Sequence, residues 1–341
     1  MHNVLITGGA GFIGHHLVKK LSTMDCKITI IDNLSNANRI FLHTIKSAVQ
    51  ASSISTSRFV RLNANGIKDV SFYAEDIRNK EALFDIFKSE EIDTCVHLAS
   101  QISVPDSITN PGNTIDVNIK GTFNVLEACS RVDVKNLVFA SSSAVYGEAK
   151  TLPISEKEQL DPLSPYGASK IAGEALVSSF RNTGKIQNAV SIRIFNVFGE
   201  GQSIEYAGVI TKFAERLSVR LPPVVYGDGN QTRDFIFIDD VVSAIMLSAA
   251  VQDKKQDEKS SSDPSSHIIL NVGTGKAIKI RDLAKMMIKI FDLDLEPVFA
   301  EARRGDIVNS LAKISMLETI LGFVPSHEIE PSLKQMFIHS N

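Results

Sequence analysis

A glycine-rich turn between a short apolar run and a helical pattern limits how this chain can fold. Residues 3–7 (Asn-Val-Leu-Ile-Thr) predict a buried strand, and residues 8–14 (Gly-Gly-Ala-Gly-Phe-Ile-Gly) follow it directly. Leu17 and Leu21 then continue at helical spacing. A strand, a tight glycine turn and a helix in this order are typical of the first unit of a doubly wound parallel sheet.

The glycines of the turn have a spacing that suits phosphate binding. Gly8, Gly11 and Gly14 lie three residues apart, which allows a tight turn, a close approach to a pyrophosphate and close packing of helix on strand. The N-terminus of the predicted helix supplies N–H groups and a positive dipole end. Because the motif has this strand-to-helix context, it indicates a dinucleotide site.

A second predicted strand, residues 27–31, ends at an acidic residue. Asp32, followed by Asn33, stands where a carboxylate can accept hydrogen bonds from a ribose 2′-hydroxyl. The same carboxylate would repel a 2′-phosphate, so the sequence favours NAD over NADP. The alternative is that Asp32 only caps the turn at the strand end.

Predicted strands and helices alternate over residues 1–180, which favours a parallel sheet with right-handed crossovers. We therefore expect an α/β fold, a Rossmann-type doubly wound parallel sheet with a smaller mixed α/β C-terminal substrate domain. The NAD-binding domain is predicted over residues 1–188, with 234–272 returning to it. Residues 189–233 and 273–341 are predicted to form the substrate domain.

The later helices and two polar segments complete the expected order. Residues 35–69 predict a long loop that carries one helix over 39–50. Residues 252–266 are charged and Ser-rich with no apolar residue, which predicts a disordered surface loop. The other helices are predicted over 80–88, 113–131, 167–181, 209–217, 239–250, 278–291 and 311–321, the last being the final helix of the chain.

Composition and charge exclude several classes of protein. A net charge of −3 over 341 residues gives no support for nucleic-acid binding. The apolar run 241–251 is too short to span a bilayer, so no membrane segment is expected. Met1 leads into a strand without a secretory leader, and the cysteines have no metal-ligand spacing. We expect a cytoplasmic protein with no metal and three reduced thiols, Cys26, Cys95 and Cys129.

Tyr166 and Lys170 are the pair with the clearest chemical meaning. Four residues apart on a predicted helix, they share one face. A phenol, with a reference pKa of about 10, is a poor base at neutral pH, and a nearby cation lowers that pKa. The spacing therefore indicates a proton-transfer pair. A helix-surface tyrosine beside a solvated lysine is the alternative.

Hydroxyl groups follow the predicted strand 136–140. Ser141, Ser142 and Ser143 stand at the carboxyl end of a central strand, where doubly wound sheets bind ligands. A polar turn is the alternative. His97 lies inside another apolar strand and is expected to be a packed core histidine rather than a ligand.

These motifs, in this order, resemble those of the extended short-chain dehydrogenase/reductase family, and within it the NAD-dependent nucleotide-sugar epimerases of the UDP-glucose 4-epimerase kind. The resemblance covers nearly the whole chain and is carried by residues 7–14, 139–147, 164–170, 193–199 and 226–240.

The resemblance implies NAD as the cofactor and a role for each matching position. The pyrophosphate would be held by Gly8, Gly11, Phe12, Ile13 and Gly14. The adenosine ribose would be held by Asp32 and Asn33, and the adenine by Asp76 and Ile77. The rest of the cofactor channel would be formed by Leu98, Ala99, Asn118, Tyr166, Lys170 and Phe195.

The resemblance also implies the catalytic and substrate residues. Tyr166 and Lys170 would be catalytic with Ser142 as the catalytic hydroxyl, or else its neighbour Ser143, which also could bind the sugar. The UDP-sugar substrate would be bound by Ser103, Ser143, Asn196, Tyr226, Arg233, Arg304 and Ser310. An ion pair with Asp234 or Asp239 is the alternative for Arg233. Arginine suits a diphosphate because its fork pairs two oxygens at once.

The implied reaction is 4-epimerisation of a UDP-hexose through a 4-keto sugar. No carboxylate follows Ser142, since Ser143, Ala144 and Val145 come next, which argues against dehydratases and decarboxylases of the family. Ser310, where relatives restricted to unacetylated sugars carry a bulky residue, predicts tolerance of UDP-N-acetylglucosamine and UDP-N-acetylgalactosamine. Another UDP-sugar enzyme, a UDP-glucuronate epimerase or decarboxylase, is one alternative. A non-catalytic NAD-binding regulator is the other. The resemblance also implies a homodimer, with helices 113–131 and 165–181 at the interface.

Overall fold

The computed structural model describes residues 1–38, 59–64, 67–202, 208–251, 267–302 and 307–338. Close packing divides the chain into two units. The first contains residues 1–142, 164–193 and 242–270, and the second contains residues 143–163, 194–241 and 271–341. No described helix combines the length and the apolar character needed to cross a membrane.

An eight-stranded sheet, in the order β11-β7-β6-β5-β1-β2-β4-β3, organises the fold. Its strands are β1 (Asn3–Thr7), β2 (Lys27–Asp32), β3 (Phe59–Ala64), β4 (Ile67–Ala74), β5 (Thr94–His97), β6 (Asn136–Ser142), β7 (Asn188–Ile194) and β11 (Ile268–Val272). Strand β1 pairs in parallel with both β2 and β5, so the chain order reverses there. The carboxyl ends at such a reversal form the crevice where open α/β sheets bind ligands. The predicted α/β, doubly wound class is confirmed.

The edge of the sheet differs from the sequence prediction. Strand β3 runs antiparallel to β4 with Val60 opposite Phe72 and Leu62 opposite Val70. The expected loop over 35–69 is therefore wrong at its C-terminal end. Strand β3 is hydrogen-bonded to the edge of the sheet, and this pairing cannot be predicted from the weak periodicity of the stretch. The predicted helix over 39–50 and the predicted loop over 252–266 lie outside the described residues.

Helices flank the sheet and close its core. They are α1 (Phe12–Leu21), α2 (Lys80–Ser89), α3 (Val104–Thr109), α4 (Pro111–Ile115), α5 (Thr122–Arg131) and α6 (Pro165–Asn182). Leu5 and Leu137 of the sheet, Phe87 of α2, Val125 of α5 and Val177 of α6 belong to one buried cluster. This cluster fixes α6 on the sheet and, with it, the predicted catalytic residues.

The helix predicted over 113–131 is interrupted. A π-helical turn, Asp116–Gly121, lies between α4 and α5. The Thr122 hydroxyl donates to the carbonyl of Asn118 at 2.6 Å. A Cβ at Gly121 would lie 2.5 Å from Cδ1 of Ile77, so the small residue lets the turn pack closely. Such π-turns are rare and frequently occur at functional sites.

The second unit contains two small sheets. One has the order β12-β10-β8 and the other pairs β13 with β9. The strands are β8 (Asn196–Phe198), β9 (Val224–Tyr226), β10 (Thr232–Phe237), β12 (Ala277–Lys279) and β13 (Val298–Ala300). The helices that follow β8 in the chain are α7 (Val209–Ser218), α8 (Ile238–Ala250), α9 (Ile280–Ile290), α10 (Ser315–Leu321) and α11 (Ile329–Ile338).

The C-terminal end also corrects the sequence prediction. The expected helix over 311–321 begins only at Ser315, because Leu311 and Lys313 exchange backbone hydrogen bonds with Ile154. It is not the last helix, since α11 follows and buries Leu333 completely. The hydrogen bonds to Ile154 join residues far apart in the sequence, so local periodicity could not reveal them.

Candidate active site

The glycine turn after β1 leaves no room for a side chain at Gly8 or Gly14. Gly8 has a φ of +71°, and a Cβ there would lie 2.7 Å from the backbone nitrogen of Ala99. A Cβ at Gly14 would lie 2.3 Å from the carbonyl oxygen of Gly8. No side chain caps the N-terminus of α1, whose N-cap is Gly11. This bare backbone at a helix N-terminus fits the pyrophosphate of a dinucleotide.

Asp32 ends β2 beside this turn. Its Oδ2 accepts from the Ala10 backbone N–H at 3.0 Å, and its Oδ1 accepts from that of Leu34 at 2.7 Å. Burial raises the pKa of the carboxyl, and the two backbone hydrogen bonds oppose that rise. Each oxygen of a carboxylate has a further lone pair, so Asp32 can still accept from ribose hydroxyls.

Two further predicted cofactor residues meet at the ends of adjacent strands. The Asn33 side chain donates to Oδ2 of Asp76 at 2.8 Å. Arg78 forms an ion pair with Asp76, and this contact lowers the pKa of the carboxyl to about 2. Sequence reasoning missed Arg78, although an arginine two residues after an acidic strand end is a visible signal. Ile77 is buried and packs against Gly121.

Helix α6 presents the predicted catalytic pair on one face. Ser164 caps its N-terminus by accepting from the Gly167 N–H at 3.2 Å, and Pro165 occupies the first turn. Lys170 Nζ donates to the Ala140 carbonyl at 2.8 Å. The same nitrogen lies 5.7 Å from the ring centroid of Tyr166. The structure thus places both side chains at the carboxyl end of β6.

The protonation of this pair differs from the sequence prediction. Burial raises the pKa of Tyr166, and a hydrogen bond with Ser142 opposes the rise. Burial lowers the pKa of Lys170 to about 7, and Glu174 opposes that fall. The predicted net lowering of the tyrosine pKa is therefore wrong, because burial outweighs the contact that favours the phenolate. Ser142 is the neighbour that favours the phenolate.

The structure separates the two serines that the sequence left as alternatives. Ser142 ends β6 and is hydrogen-bonded to Tyr166. Ser143 begins a short 3₁₀ turn, and its carbonyl accepts from the Tyr146 N–H at 3.1 Å. This arrangement supports Ser142 as the hydroxyl that works with Tyr166.

Asn118 fastens the loop after β5 to α6. Its Oδ1 accepts from the Gln101 N–H at 2.7 Å and from the Ser100 hydroxyl at 3.1 Å. Its Nδ2 donates to the Gln101 carbonyl at 3.0 Å and to the Ser169 hydroxyl at 2.9 Å. Ser169 in turn donates to the Tyr166 carbonyl at 2.7 Å. Sequence reasoning missed Gln101 and Ser169, because their contacts join distant parts of the chain.

Leu98 and Ala99 begin this loop at the crevice. The Leu98 N–H donates to the Thr7 carbonyl at 3.0 Å, and the Ala99 N–H donates to the Thr7 hydroxyl at 3.2 Å. Both residues are partly buried. The structure therefore brings the predicted channel residues beside the glycine turn. Ser103, the predicted sugar contact, caps α3 by accepting from the Asp106 N–H at 3.2 Å.

His97 is the packed core histidine that the sequence predicts. Burial, and then the charge of Lys170, lower its pKa to about 3, so the ring is neutral. The Thr122 hydroxyl gives its proton to the Asn118 carbonyl, so it accepts from His97 Nε2 at 2.9 Å. Nδ1 therefore accepts from the Thr7 hydroxyl at 2.6 Å. The imidazole thus connects the end of β1 to the π-turn that carries Asn118.

The second unit gathers most of the predicted substrate residues. Asn196 of β8 donates to the carbonyl of Asp234 in β10 at 3.0 Å. Ser310 is buried, and its N–H donates at 3.1 Å to the carbonyl of Thr232, the neighbour of Arg233. The carboxylate of Asp234 accepts from backbone and side-chain groups of Thr274 and from backbone groups of Gly275 and Ala312.

Three predicted residues need separate mention. Tyr226 ends β9 and is partly buried. Phe195 is buried, and its ring centroid lies 6.4 Å from that of Tyr146. Arg304 lies outside the described residues. Among the residues that the structure describes, no group of His, Cys, Asp and Glu could hold a metal ion.

Comparisons with known proteins agree with this geometry. Residues 4–273 match the NAD dependent epimerase/dehydratase family. A UDP-glucose 4-epimerase of Mycolicibacterium smegmatis is 32% identical over 323 residues, which cover 94% of this chain and 93% of the relative. A UDP-glucuronate 4-epimerase of Thermodesulfobacterium geofontis is 30% identical over 334 residues, 97% of this chain and 94% of the relative.

A solved structure is similar over the full length. The UDP-N-acetylglucosamine 4-epimerase of Methanobrevibacter ruminantium, in complex with UDP-N-acetylmuramic acid, is 34% identical. Its TM-score is 0.83, and the match covers 100% of this chain and 99% of that one. The predicted extended short-chain dehydrogenase/reductase type and the predicted NAD dependence are thus confirmed, and the chain belongs to the NAD dependent epimerase/dehydratase family.

Proposed function

We propose that this protein catalyses the NAD-dependent 4-epimerisation of a UDP-hexose, with UDP-glucose and UDP-galactose as its substrate pair. The observation that carries the proposal is the contact of Ser142 with Tyr166 on the face of α6 that also holds Lys170. A hydroxyl, a phenol and an amine in this arrangement can move a proton to and from a sugar hydroxyl. A protein that only bound NAD would have no use for it.

The residues of this chain would act on the proton of the reacting hydroxyl. When bound, NAD would supply the hydride acceptor and donor for C4′ of the sugar. Tyr166, as the phenolate, accepts the proton of the 4′-hydroxyl. Ser142 hydrogen-bonds Tyr166 and relays the proton. Burial disfavours the phenolate, and the Ser142 hydrogen bond opposes that cost. A protonated Lys170, whose Nζ lies 5.7 Å from the ring centroid of Tyr166, would add a positive charge that also favours the phenolate.

The first unit would hold the cofactor through Gly8, Gly11, Phe12, Ile13, Gly14, Asp32, Asn33, Asp76, Ile77, Leu98 and Ala99. The absence of side chains at Gly8 and Gly14 supports this assignment, since a Cβ at either would meet backbone atoms. Asn118 would shape the channel, because its amide already makes four hydrogen bonds within the protein. Phe195 would close over the nicotinamide.

Most of the proposed contacts to the nucleotide sugar lie in the second unit. Asn196, Tyr226, Arg233, Arg304 and Ser310 are the proposed contacts, with Ser103 and Ser143 on the sugar. The hydrogen bond that places Ser310 beside the start of β10 supports a common site for Ser310 and Arg233. The small side chain of Ser310 leaves room for a 2-acetamido group, so we include UDP-N-acetylhexosamines. The similar structure from Methanobrevibacter ruminantium is of such an epimerase.

A UDP-hexuronate is the second candidate substrate, because a relative at 30% identity is a UDP-glucuronate 4-epimerase. Incubation with UDP-glucuronate and mass spectrometry separate the outcomes. An epimerase leaves the mass of the nucleotide sugar unchanged, whereas a decarboxylase releases carbon dioxide. Faster turnover of UDP-glucuronate than of UDP-glucose would replace our substrate assignment.

We also propose a cytoplasmic homodimer. Cys26, Cys95 and Cys129 are free thiols, which suits a reducing compartment. Ile115 and Phe123, on the helices over 111–131, are 52% and 41% exposed, and a partner subunit would cover them. Light scattering on the purified protein measures the oligomeric state, and a monomer at micromolar concentration would refute the dimer.

The activity is tested directly by NMR. Purified protein is incubated with UDP-glucose, and the appearance of the UDP-galactose signals is followed with time. We expect interconversion, and we expect Tyr166→Phe to lower kcat by at least about a hundredfold, as loss of a general base does. No turnover of any UDP-sugar would refute the function, and a fully active Tyr166→Phe would refute the assigned base.

A further inference from the structure

Three consecutive residues at the end of β6 each contact the same face of α6. The Ala140 carbonyl accepts from Lys170, and Ser142 is hydrogen-bonded to Tyr166. Between them, the Ser141 hydroxyl donates to Oε1 of Glu174 at 2.5 Å. Tyr166, Lys170 and Glu174 are spaced four residues apart, so they follow one another along the helix.

The carboxylate of Glu174 is itself bound by Arg193. Arg193 of β7 donates through Nε to Oε1 at 2.8 Å and through a terminal nitrogen to Oε2 at 2.7 Å. The side chains are 2% exposed for Arg193 and 5% exposed for Glu174. A buried ion pair of this kind often contributes less to stability than well-packed apolar residues would. Glu174 lies one helical turn after Lys170 on α6, and this position points to a role of the ion pair other than stability.

We propose that Glu174, fixed by Arg193, is a positioning residue of the reaction. It tethers the end of β6 through Ser141, so that Ala140 and Ser142 stay aligned with Lys170 and Tyr166. Its charge also favours the protonated form of Lys170. This inference rests on the proposed roles of Tyr166 and Lys170.

The charge argument follows from the groups around Lys170. Tyr166 and Glu174 face it from α6, His97 faces it from β5, and Arg193 lies beyond Glu174 on β7. His97 is neutral above a pKa of about 3, and His267, near Glu174 and Arg193, is neutral above about 4. Apart from burial, Glu174 is the group that shifts the pKa of Lys170, and it raises it.

Two single variants separate the tether from the charge. Glu174→Gln keeps the shape and an oxygen for Ser141 but removes the charge. Ser141→Ala removes the tether and keeps the charge. Glu330→Gln is the matched control, because Glu330 forms an exposed ion pair with Lys334. The pH profile of kcat is measured for UDP-glucose conversion, together with KM.

The two variants have different expected profiles. In this proposal the protonated lysine is the active form, so activity falls as Lys170 loses its proton. For Glu174→Gln we expect this fall to move to lower pH by about one unit, since a nearby opposite charge favours the charged form. For Ser141→Ala we expect kcat about tenfold lower at every pH, the equivalent of one lost hydrogen bond to a charged group, with KM nearly unchanged. Glu330→Gln should behave as the wild type.

A double variant and an NMR titration keep the inference testable if a single variant misfolds or if the wild type is inactive. The double variant Glu174→Gln, Arg193→Met leaves no unpaired buried guanidinium and should show the same pH shift, because Arg193 does not itself shift the pKa of Lys170. NMR of protein with ¹³C-labelled lysine, assigned with Lys170→Met, follows the Lys170 titration without turnover. A Lys170 pKa unchanged in both Glu174 variants, or a wild-type kcat in Ser141→Ala, would overturn the inference. An inactive wild type would instead refute the proposed function.

Discussion

A Cβ on Gly173 would lie 2.4 Å from Cζ of Phe139, so α6 approaches β6 only because position 173 has no side chain. Phe139 is buried in the core cluster and cannot turn away freely. The close approach lets Lys170 reach the Ala140 carbonyl.

Gly173→Ala should therefore reduce both stability and activity. Overpacking costs about 1–3 kcal/mol, and the better helix propensity of alanine returns about 1 kcal/mol, so we expect a net loss of about 1 kcal/mol. Urea unfolding and kcat for UDP-glucose measure the two effects. Gly208→Ala is the control, since a Cβ there meets nothing within 4 Å. Equal behaviour of the two variants would contradict the packing argument.

The buried Lys170 should make stability depend on pH. Its folded pKa of about 7 lies below the unfolded value near 10.5, so between these values the unfolded chain holds the extra proton. Stability from this group therefore rises with pH above about 7, by up to about 1.4 kcal/mol per unit. Lys170→Met removes this slope. Relative to the wild type, the variant should be more stable at pH 7 than at pH 9, as measured by the free energy of unfolding. The same difference at both pH values would show that the pKa of Lys170 is not lowered.

His97 should contribute to acid unfolding with the same sign as Lys170 but in a lower pH range. Its folded pKa of about 3 lies below the unfolded 6.5, so stability is complete above pH 6.5 and falls as the pH falls below it. His97→Gln retains one donor and one acceptor for Thr122 and Thr7 but takes up no proton. Urea unfolding at pH 7 and pH 5 measures how much unfolding free energy is lost between the two pH values. We expect this loss to be smaller in the variant by about 1–2 kcal/mol. His15 and His267 have similarly lowered pKa values and cancel in this comparison.

Ser310 offers a test of substrate range. Ser310→Tyr would fill the space that we assign to the 2-acetamido group. We expect kcat/KM for UDP-N-acetylglucosamine to fall at least about a hundredfold relative to that for UDP-glucose, since a steric clash discriminates strongly between substrates. Asn309→Gln, next along the chain, is the control for disturbance of the backbone. Equal losses for both sugars would place Ser310 outside the sugar site.

Features written in consecutive residues could be predicted from the sequence. The glycine turn, the acidic end of β2 and the Tyr166/Lys170 spacing each follow from local geometry, because a strand, a turn or a helix face fixes which neighbours meet. Family resemblance added the remaining positions. His97 was also predictable as a core residue, because an apolar strand surrounds it.

Features that depend on distant contacts could not be predicted in this way. The antiparallel pairing of β3 with β4, the four contacts of Asn118 and the Glu174–Arg193 pair all join segments separated in the chain. The predicted direction of the Tyr166 pKa shift was wrong for the same reason. The spacing of Tyr166 and Lys170 is local, but the burial of both side chains and the hydrogen bond from Lys170 to the Ala140 carbonyl depend on tertiary structure.

The π-turn over 116–121 accommodates one residue more than a regular α-helix would. Winding the same six residues as a regular α-helix would rotate everything upstream by about 100° relative to α5. Asn118 would then lose its aim at both Gln101 and Ser169, although every side chain involved would still be present. The contacts of Asn118 with Gln101 and Ser169 thus depend on the helical rotation that the π-turn sets, and a change that made the turn regular would abolish them.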